Sequence, residues 1–389
     1  LIRNSIITRS IVCFAVTAFL VCGVALHASR AADSAETGMA KDVEAGLDTL
    51  IKAVRDKNGA VNAAAFAPVL DFALASNTPD AQKEMPRKRE QGYGIFMREE
   101  IQVPMEKLVR YCYDPAIPPS VLFPNSIRRG HWLAGSDILT KGAKLWEVLG
   151  GLEEPVVMRG VEYEEITPDE FSGSYYGYNL DRLLIVMPYK GHRMFVSVSR
   201  QQDTSSVGKK GAIVGKDTNW DYVYTNEDGA TARGIGWMDT YMYDSSTVTV
   251  FFDKGPGSRT TQYTVFKWLK AGWANLNVVK RSHIISGTRR FLDGFRRIIE
   301  DSNLPPAEDI AQQMRHFESA PEAELVASLQ PFCRKVELVA AKDDVLSRSE
   351  FQKLIKDAGY ADHLNKDELI NDLMKQFIKS RLGIVHVSG

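Results

Sequence analysis

The pattern of apolar positions changes twice along the chain, and those changes mark its organisation. Val43, Leu47, Leu50, Ile51 and Val54 recur at helical spacing, and Asn58-Gly59 ends that run. An alanine-rich second helix follows from Val61 to Leu74. Asn77 to Arg89 is polar, carries Pro79 and Pro86 and ends basic, so it reads as a linker. From about Gly92 to Asp301, strand-length runs rich in Tyr, Trp, Val and Gly are separated by turn signals. Leu183–Tyr189 and Met194–Arg200 flank Lys190-Gly191-His192, a hairpin signal. Trp220–Thr225 and Ala232–Tyr243 flank Asn226–Gly229, and Thr247–Phe252 and Thr261–Leu269 flank Asp253–Gly257. Six runs with short connections predict an antiparallel meander rather than parallel βαβ units.

A helix over 282–300 closes this region. Ile284, Thr288, Phe291, Leu292, Phe295, Ile298 and Ile299 form its apolar stripe, with Arg289, Arg290, Asp293, Arg296 and Arg297 off it. Beyond Asn303-Leu-Pro-Pro306, helices are expected near 307–319, 321–342, 348–358 and 366–381. Ser347–Glu350 and Asn365–Glu368 have capping-box spacing. The fold class is therefore α+β: an antiparallel sheet packed on a long C-terminal helix, with further helices before and after. The chain divides into a leader at 1–31, a helical segment and linker at 32–89, an α+β region at 90–303 and a helical region at 304–389.

The leader changes the picture of compartment. Arg3 and Arg9 precede the apolar run Ile11–Leu26, and Ser29 and Ala31 suit the small subsites of a signal-peptide cut after Ala31. The run is shorter than the roughly 20 residues of a spanning helix, so the cleaved chain is expected to be periplasmic or secreted and not integral to the membrane. Cleavage would leave two cysteines, Cys112 and Cys333, which an oxidising compartment allows to pair; two buried thiols are the alternative. The 48 Lys and Arg residues nearly balance 49 Asp and Glu residues, which gives no general attraction for nucleic acid. The basic pairs Arg289-Arg290 and Arg296-Arg297 would suit an anionic lipid surface or, more simply, a solvated helix face.

Local catalytic motifs fail on inspection. Gly208–Asp217 has Lys210 at the first glycine place of a phosphate loop and Asp217 at its hydroxyl place, so a basic loop between strands is expected. Asp217–Asp221 begins like a calcium loop but lacks its glycine and closing glutamate. Gly234–Asp239 is a fragment of a dinucleotide fingerprint without its third glycine. No zinc spacing or serine elbow is present, and neither a metal nor a cofactor is expected. Arg128-Arg-Gly-His-Trp132 could hold an anion or an aromatic ligand, or be a polar loop around one packed Trp, and makes His131 and Trp132 candidate binding residues.

Tyr93–Val109 reads as a strand, a Val-Pro step and a helix start, and Thr264–Asn277 leads into the closing helix. A strand entering a helix, then an antiparallel meander, then a long amphipathic helix resembles the START-type helix-grip superfamily over about residues 92–301. That resemblance implies a hydrophobic ligand gripped between sheet and helix. It would place Phe291, Leu292 and Phe295 on the cavity side of the helix, facing Tyr222, Tyr224, Trp237, Tyr241 and Phe266. The alternative is that these side chains fill a core. The leading expectation is an exported, noncatalytic protein that binds a hydrophobic small molecule or lipid. A cell-envelope module with a protein partner is the second. An enzyme with a nonlocal site, using His131, His192 or an acid among Asp217, Asp221 and Asp239, is the third.

Overall fold

A computed structural model of the chain describes residues 37–57, 59–75, 84–142, 144–231, 238–255 and 257–384. The leader lies outside the described residues, and so does Trp237. Seven antiparallel strands form the main sheet: β1 (Tyr93–Ile101), β2 (Ile127–Trp132), β3 (Val156–Ile166), β4 (Gly177–Tyr189), β5 (His192–Gln201), β8 (Tyr241–Asp253) and β9 (Thr261–Gly272). Their spatial order is β1-β9-β8-β5-β4-β3-β2. Two further strands, β6 (Lys209–Ile213) and β7 (Tyr222–Asp228), pair with each other in a small separate sheet, in which β6 pairs on its other edge with Ser174–Tyr175.

The hairpins at Lys190-Gly191 and at Asp253–Gly257 form as the turn signals predict. Lys190 and Gly191 both take positive φ, the geometry that matches a two-residue turn to the twist of its strands. The third expected hairpin would use residues 232–237, which lie outside the described residues; among the described residues the strands take other partners. β7 pairs with β6, through the register Tyr222↔Ile213 and Tyr224↔Gly211, while β8 joins the main sheet. The segment read as a basic loop thus supplies a strand. Lys209, Lys210 and Gly211 give it no apolar alternation to announce itself.

Period-two alternation gives the main sheet two unlike faces. One carries Leu183, Ile185, Val196, Val198, Val248, Val250, Phe266 and Trp268, all buried. Against it pack α1 (Lys41–Ala53) and α2 (Ala63–Leu74), contributing Leu47, Leu50, Phe66, Val69 and Leu70. The two helices meet closely at Gly46, where a Cβ would come within 2.7 Å of Val69 Cγ2. The basic end of the supposed linker is fastened to α1: Arg87 and Arg89 both bind Glu44 and Asp48.

The other face is covered by α3 (Met105–Tyr113), α4 (Pro119–Leu122) and the long α5 (Arg281–Ile299), and its apolar cluster continues into the C-terminal helices. These are α6 (Ala307–Ser319), α7 (Glu322–Ala340), α8 (Ser349–Ile355) and α9 (Lys366–Arg381), close to their expected limits. Asn365 and Glu368 form the expected capping box of α9. Ser347 does not cap α8: its hydroxyl donates to the Asp344 carbonyl, and Glu350 turns to Lys210 at 3.5 Å. Among the described residues no helix is long and apolar enough to cross a membrane.

Candidate functional site

Between the second sheet face and α5 lies a cavity of about 200 Å³. Its floor is built by strand register. Glu162 and Glu164 on β3 stand opposite Leu180 and Tyr178 on β4. Arg182 lies opposite Ser199 of β5, which is opposite Thr247 of β8, which is opposite Lys267 of β9. Ser197 and Thr249 pair one step along. A polar band therefore crosses five adjacent strands on one face, and all of these side chains border the cavity. The remaining wall is mostly apolar, with Ser126 and Thr288 among its lining residues. Phe123 stacks on Phe291 at 4.6 Å between ring centroids and meets Phe295 at 5.1 Å. The segment before β2 is held under α5 by Asn125, whose Nδ2 donates to the Arg290 carbonyl at 2.8 Å. Gly294 leaves room for that approach, since a Cβ there would lie 2.5 Å from Asn125 Oδ1.

Four charged groups line the cavity, two of each sign. Arg182 Nε lies 3.2 Å from Glu162 Oε2, and Arg182 Nη2 donates to Ser197 Oγ at 3.3 Å. Burial works against the Arg182 charge, but Glu162, Tyr113 and Glu164 outweigh it and raise its pKa. Burial raises the pKa of Glu162. Glu164 is pushed up to about 7, first by burial and then by the neighbouring Glu162 charge. Among the described residues its one hydrogen bond is long, from the Tyr178 hydroxyl at 3.4 Å. Burial lowers the pKa of Lys267, and Glu164 opposes that shift. The Thr288 hydroxyl, on the α5 side, is buried without a hydrogen-bond partner.

A pH dependence follows from Glu164. Its pKa in the fold exceeds the ordinary value of 4.5, so the folded chain holds a proton that the unfolded chain releases. The stability linked to this proton is fully present below about pH 4.5 and is lost as pH rises through about 7. Melting temperatures across that window should therefore fall less steeply in Glu164→Gln than in the wild type. Parallel pH profiles would remove Glu164 from this account.

Of the residues chosen from sequence, Phe291 and Phe295 border the cavity. Leu292 points into the core, and Phe266 lies on the opposite sheet face, 5.4 Å from Phe96. Tyr222 and Tyr224 sit on β7 in the small sheet, buried against the C-terminal helices, with the Tyr224 amide donating to the Tyr360 hydroxyl. Tyr241 begins β8 outside the cavity, its ring 6.0 Å from Tyr243. Tyr222, Tyr224, Tyr241 and Phe266 lie away from the cavity, since face assignment needs the register of every intervening strand; Trp237 lies outside the described residues.

The Arg128–Trp132 cluster does not make an anion site. Arg128 is buried, donates to Glu165 at 2.6 Å and Glu368 at 2.8 Å, and lies 3.9 Å over the Tyr224 ring. Arg129 also binds Glu165. His131 packs on Tyr163 at 5.4 Å, and Trp132 lies 5.8 Å from the Arg182 guanidinium, outside the cavity lining. Three arginines of α5 are similarly engaged, while Arg289 is exposed: Arg290 grips Asp217 through two 2.6 Å bonds, Arg296 binds Glu300, and Arg297 donates to the Thr218 carbonyl. Cys112 and Cys333 are free thiols, so the bridge between them is not formed. Cys112 borders the cavity, where burial holds its thiol protonated; burial pushes the Cys333 thiol up to about 11.

His192 Nδ1 donates to the Asp253 carbonyl at 2.9 Å at the far hairpin, and Asp221 is buried between lysines; neither borders the cavity. Sequence reasoning missed Glu162, Glu164, Arg182 and Lys267. The available signal was the alternation itself: Val196 and Val198 against Ser197 and Ser199, and Val248 and Val250 against Thr247 and Thr249. Among the described residues no His, Cys, Asp or Glu cluster has the form of a metal site. Comparison with family models, curated proteins and solved structures finds no significant match to this chain.

Proposed function

We propose that the protein binds an amphipathic, lipid-like small molecule between its sheet and its long helix, in the manner of helix-grip proteins. One observation carries this reading: a polar band across five strands is roofed by the Phe123–Phe291–Phe295 wall, with a cavity left between them. Buried polar groups normally find partners. A cavity that joins under-partnered polar atoms to an aromatic wall suits a ligand with one end of each kind. Export through the Ile11–Leu26 leader, and hence a periplasmic or secreted setting, belongs to the same proposal.

The test is purification without detergent, followed by mass spectrometry of the organic extract. A stoichiometric amphiphile is expected, and Thr249→Phe, which fills the cavity from its floor, should abolish its retention. An empty extract, together with a melting temperature that added amphiphiles leave unchanged, would overturn the reading.

A second reading, an enzyme with a nonlocal site, is favoured by Glu164 and Lys267 facing one cavity with pKa values shifted toward each other. The residues differ from the histidines and aspartates expected from sequence. Chemical change of the extracted amphiphile on incubation with wild-type protein, absent with Glu164→Gln, would establish it over simple binding.

A further inference from the structure

We infer, on the premise that the cavity binds an amphiphile, that the ligand's polar end carries no net charge: an alcohol, a primary amide or a glycerol ester rather than a carboxylate or an amine. The charged groups bordering the cavity are two acids, Glu162 and Glu164, and two bases, Arg182 and Lys267. Glu162 and Arg182 already face each other at 3.2 Å. The other two are open. Lys267 makes no hydrogen bond or ion pair within bonding distance of any described group, and Glu164 has only its long contact from Tyr178.

That pair needs a partner which offers an acceptor to Lys267 and a donor or acceptor to Glu164 together. A hydroxyl or amide does both, because each contains donor and acceptor within one small group. A carboxylate would satisfy Lys267 but lie beside two acids, and an amine would satisfy Glu164 but lie beside two bases. Either would leave one buried charge in excess, and a buried charge is tolerated only when paired. Charge discrimination of this kind works by repelling the wrong ligand more than by attracting the right one. The hydroxyls of Ser199, Thr247 and Thr249 fit the same class, since each can turn to donate or accept. Thr288 presents a further buried hydroxyl without a partner from the helix side.

The experiment is calorimetric titration of the full chain at pH 8, above the value of about 7 to which Glu164 is raised so that it is largely ionised, with octanol, monooctanoylglycerol, octanoate and octylamine, which share a tail and differ in the head. The two neutral amphiphiles are expected to bind at least about tenfold more tightly than either charged one. Glu164→Gln removes one acid and should shift preference toward octanoate. Lys267→Met removes one base and should shift it toward octylamine. If octanoate or octylamine equals or exceeds octanol on the wild type, the neutral-head inference falls while the binding reading stands. If none of the four binds, both fall.

Discussion

Replacing Asp221 by asparagine is expected to lower folding stability by about 3–5 kcal/mol, the cost of leaving a buried charge without its partner. Asp221 is buried just before β7, where it accepts from Lys335 of α7 at 2.6 Å and from Lys379 of α9. Lys379 is also buried, and burial lowers its pKa. Nearby, burial pushes the Asp372 carboxyl up to about 6 and the Lys375 ammonium down to about 8. The carboxylate at 221 is thus the charge that holds two helices to the small sheet. Asparagine keeps the shape and removes the charge, so both lysines lose their counter-ion. Urea unfolding at neutral pH measures the loss. Adding Lys379→Met to Asp221→Asn should recover part of it by removing one stranded cation. If the single variant stays within about 1 kcal/mol of wild type, this cluster does not clamp the C-terminal helices.

Arg128→Met is expected to cost a similar amount, about 3–5 kcal/mol, for the opposite reason: it strands Glu368 and leaves Glu165 with Arg129 as its remaining cation. Glu165 comes from β3 and Glu368 from the first turn of α9, and among the described residues the Arg128 fork joins them. Burial works against the charge of Arg128, and Glu165 and Glu368 hold it in place. Burial also opposes the ionised form of Glu165, while Arg128 and Arg129 keep its pKa below the ordinary carboxylate range. Methionine matches the length of the stem but offers nothing to either carboxylate. Arg128→Lys separates charge from geometry, because one ammonium cannot reproduce the two-armed arrangement. Its unfolding midpoint should fall between those of wild type and Arg128→Met. Equal midpoints for Lys and wild type would show that charge alone suffices.

These two clusters explain what was hard to read. Arg128 and Asp221 each sat inside a string that suggested a ligand, an anion in one case and calcium in the other. Their partners, Glu368, Lys335 and Lys379, lie more than a hundred positions away in regions that read only as amphipathic helices. Nothing in a local window distinguishes a charge awaiting a ligand from one awaiting its own chain. The C-terminal helices themselves were legible because helical periodicity and the Asn365–Glu368 cap act within a few residues. β7 pairs with β6 although Asn226–Gly229 signals a turn, because a turn signal says nothing about which other strand β7 will choose.

By itself the sequence determined the longer helices and the strands β1, β4, β5, β7, β8 and β9, though not β2, β3 or β6, and, within each strand, which residues share a face. Alternation in β5 and β8 already separates Val196, Val198, Val248 and Val250 from Ser197, Ser199, Thr247 and Thr249. A half-buried antiparallel sheet would turn the second set to water. Only the tertiary structure decided otherwise. The apolar face is met by α1 and α2, and the polar face is roofed by α5 and the Phe123 segment. Both coverings are long-range, set by where distant helices find apolar area to bury, while side-chain alternation is set by the pleat of each strand. The cavity exists because those two requirements were satisfied at once on opposite sides of one sheet.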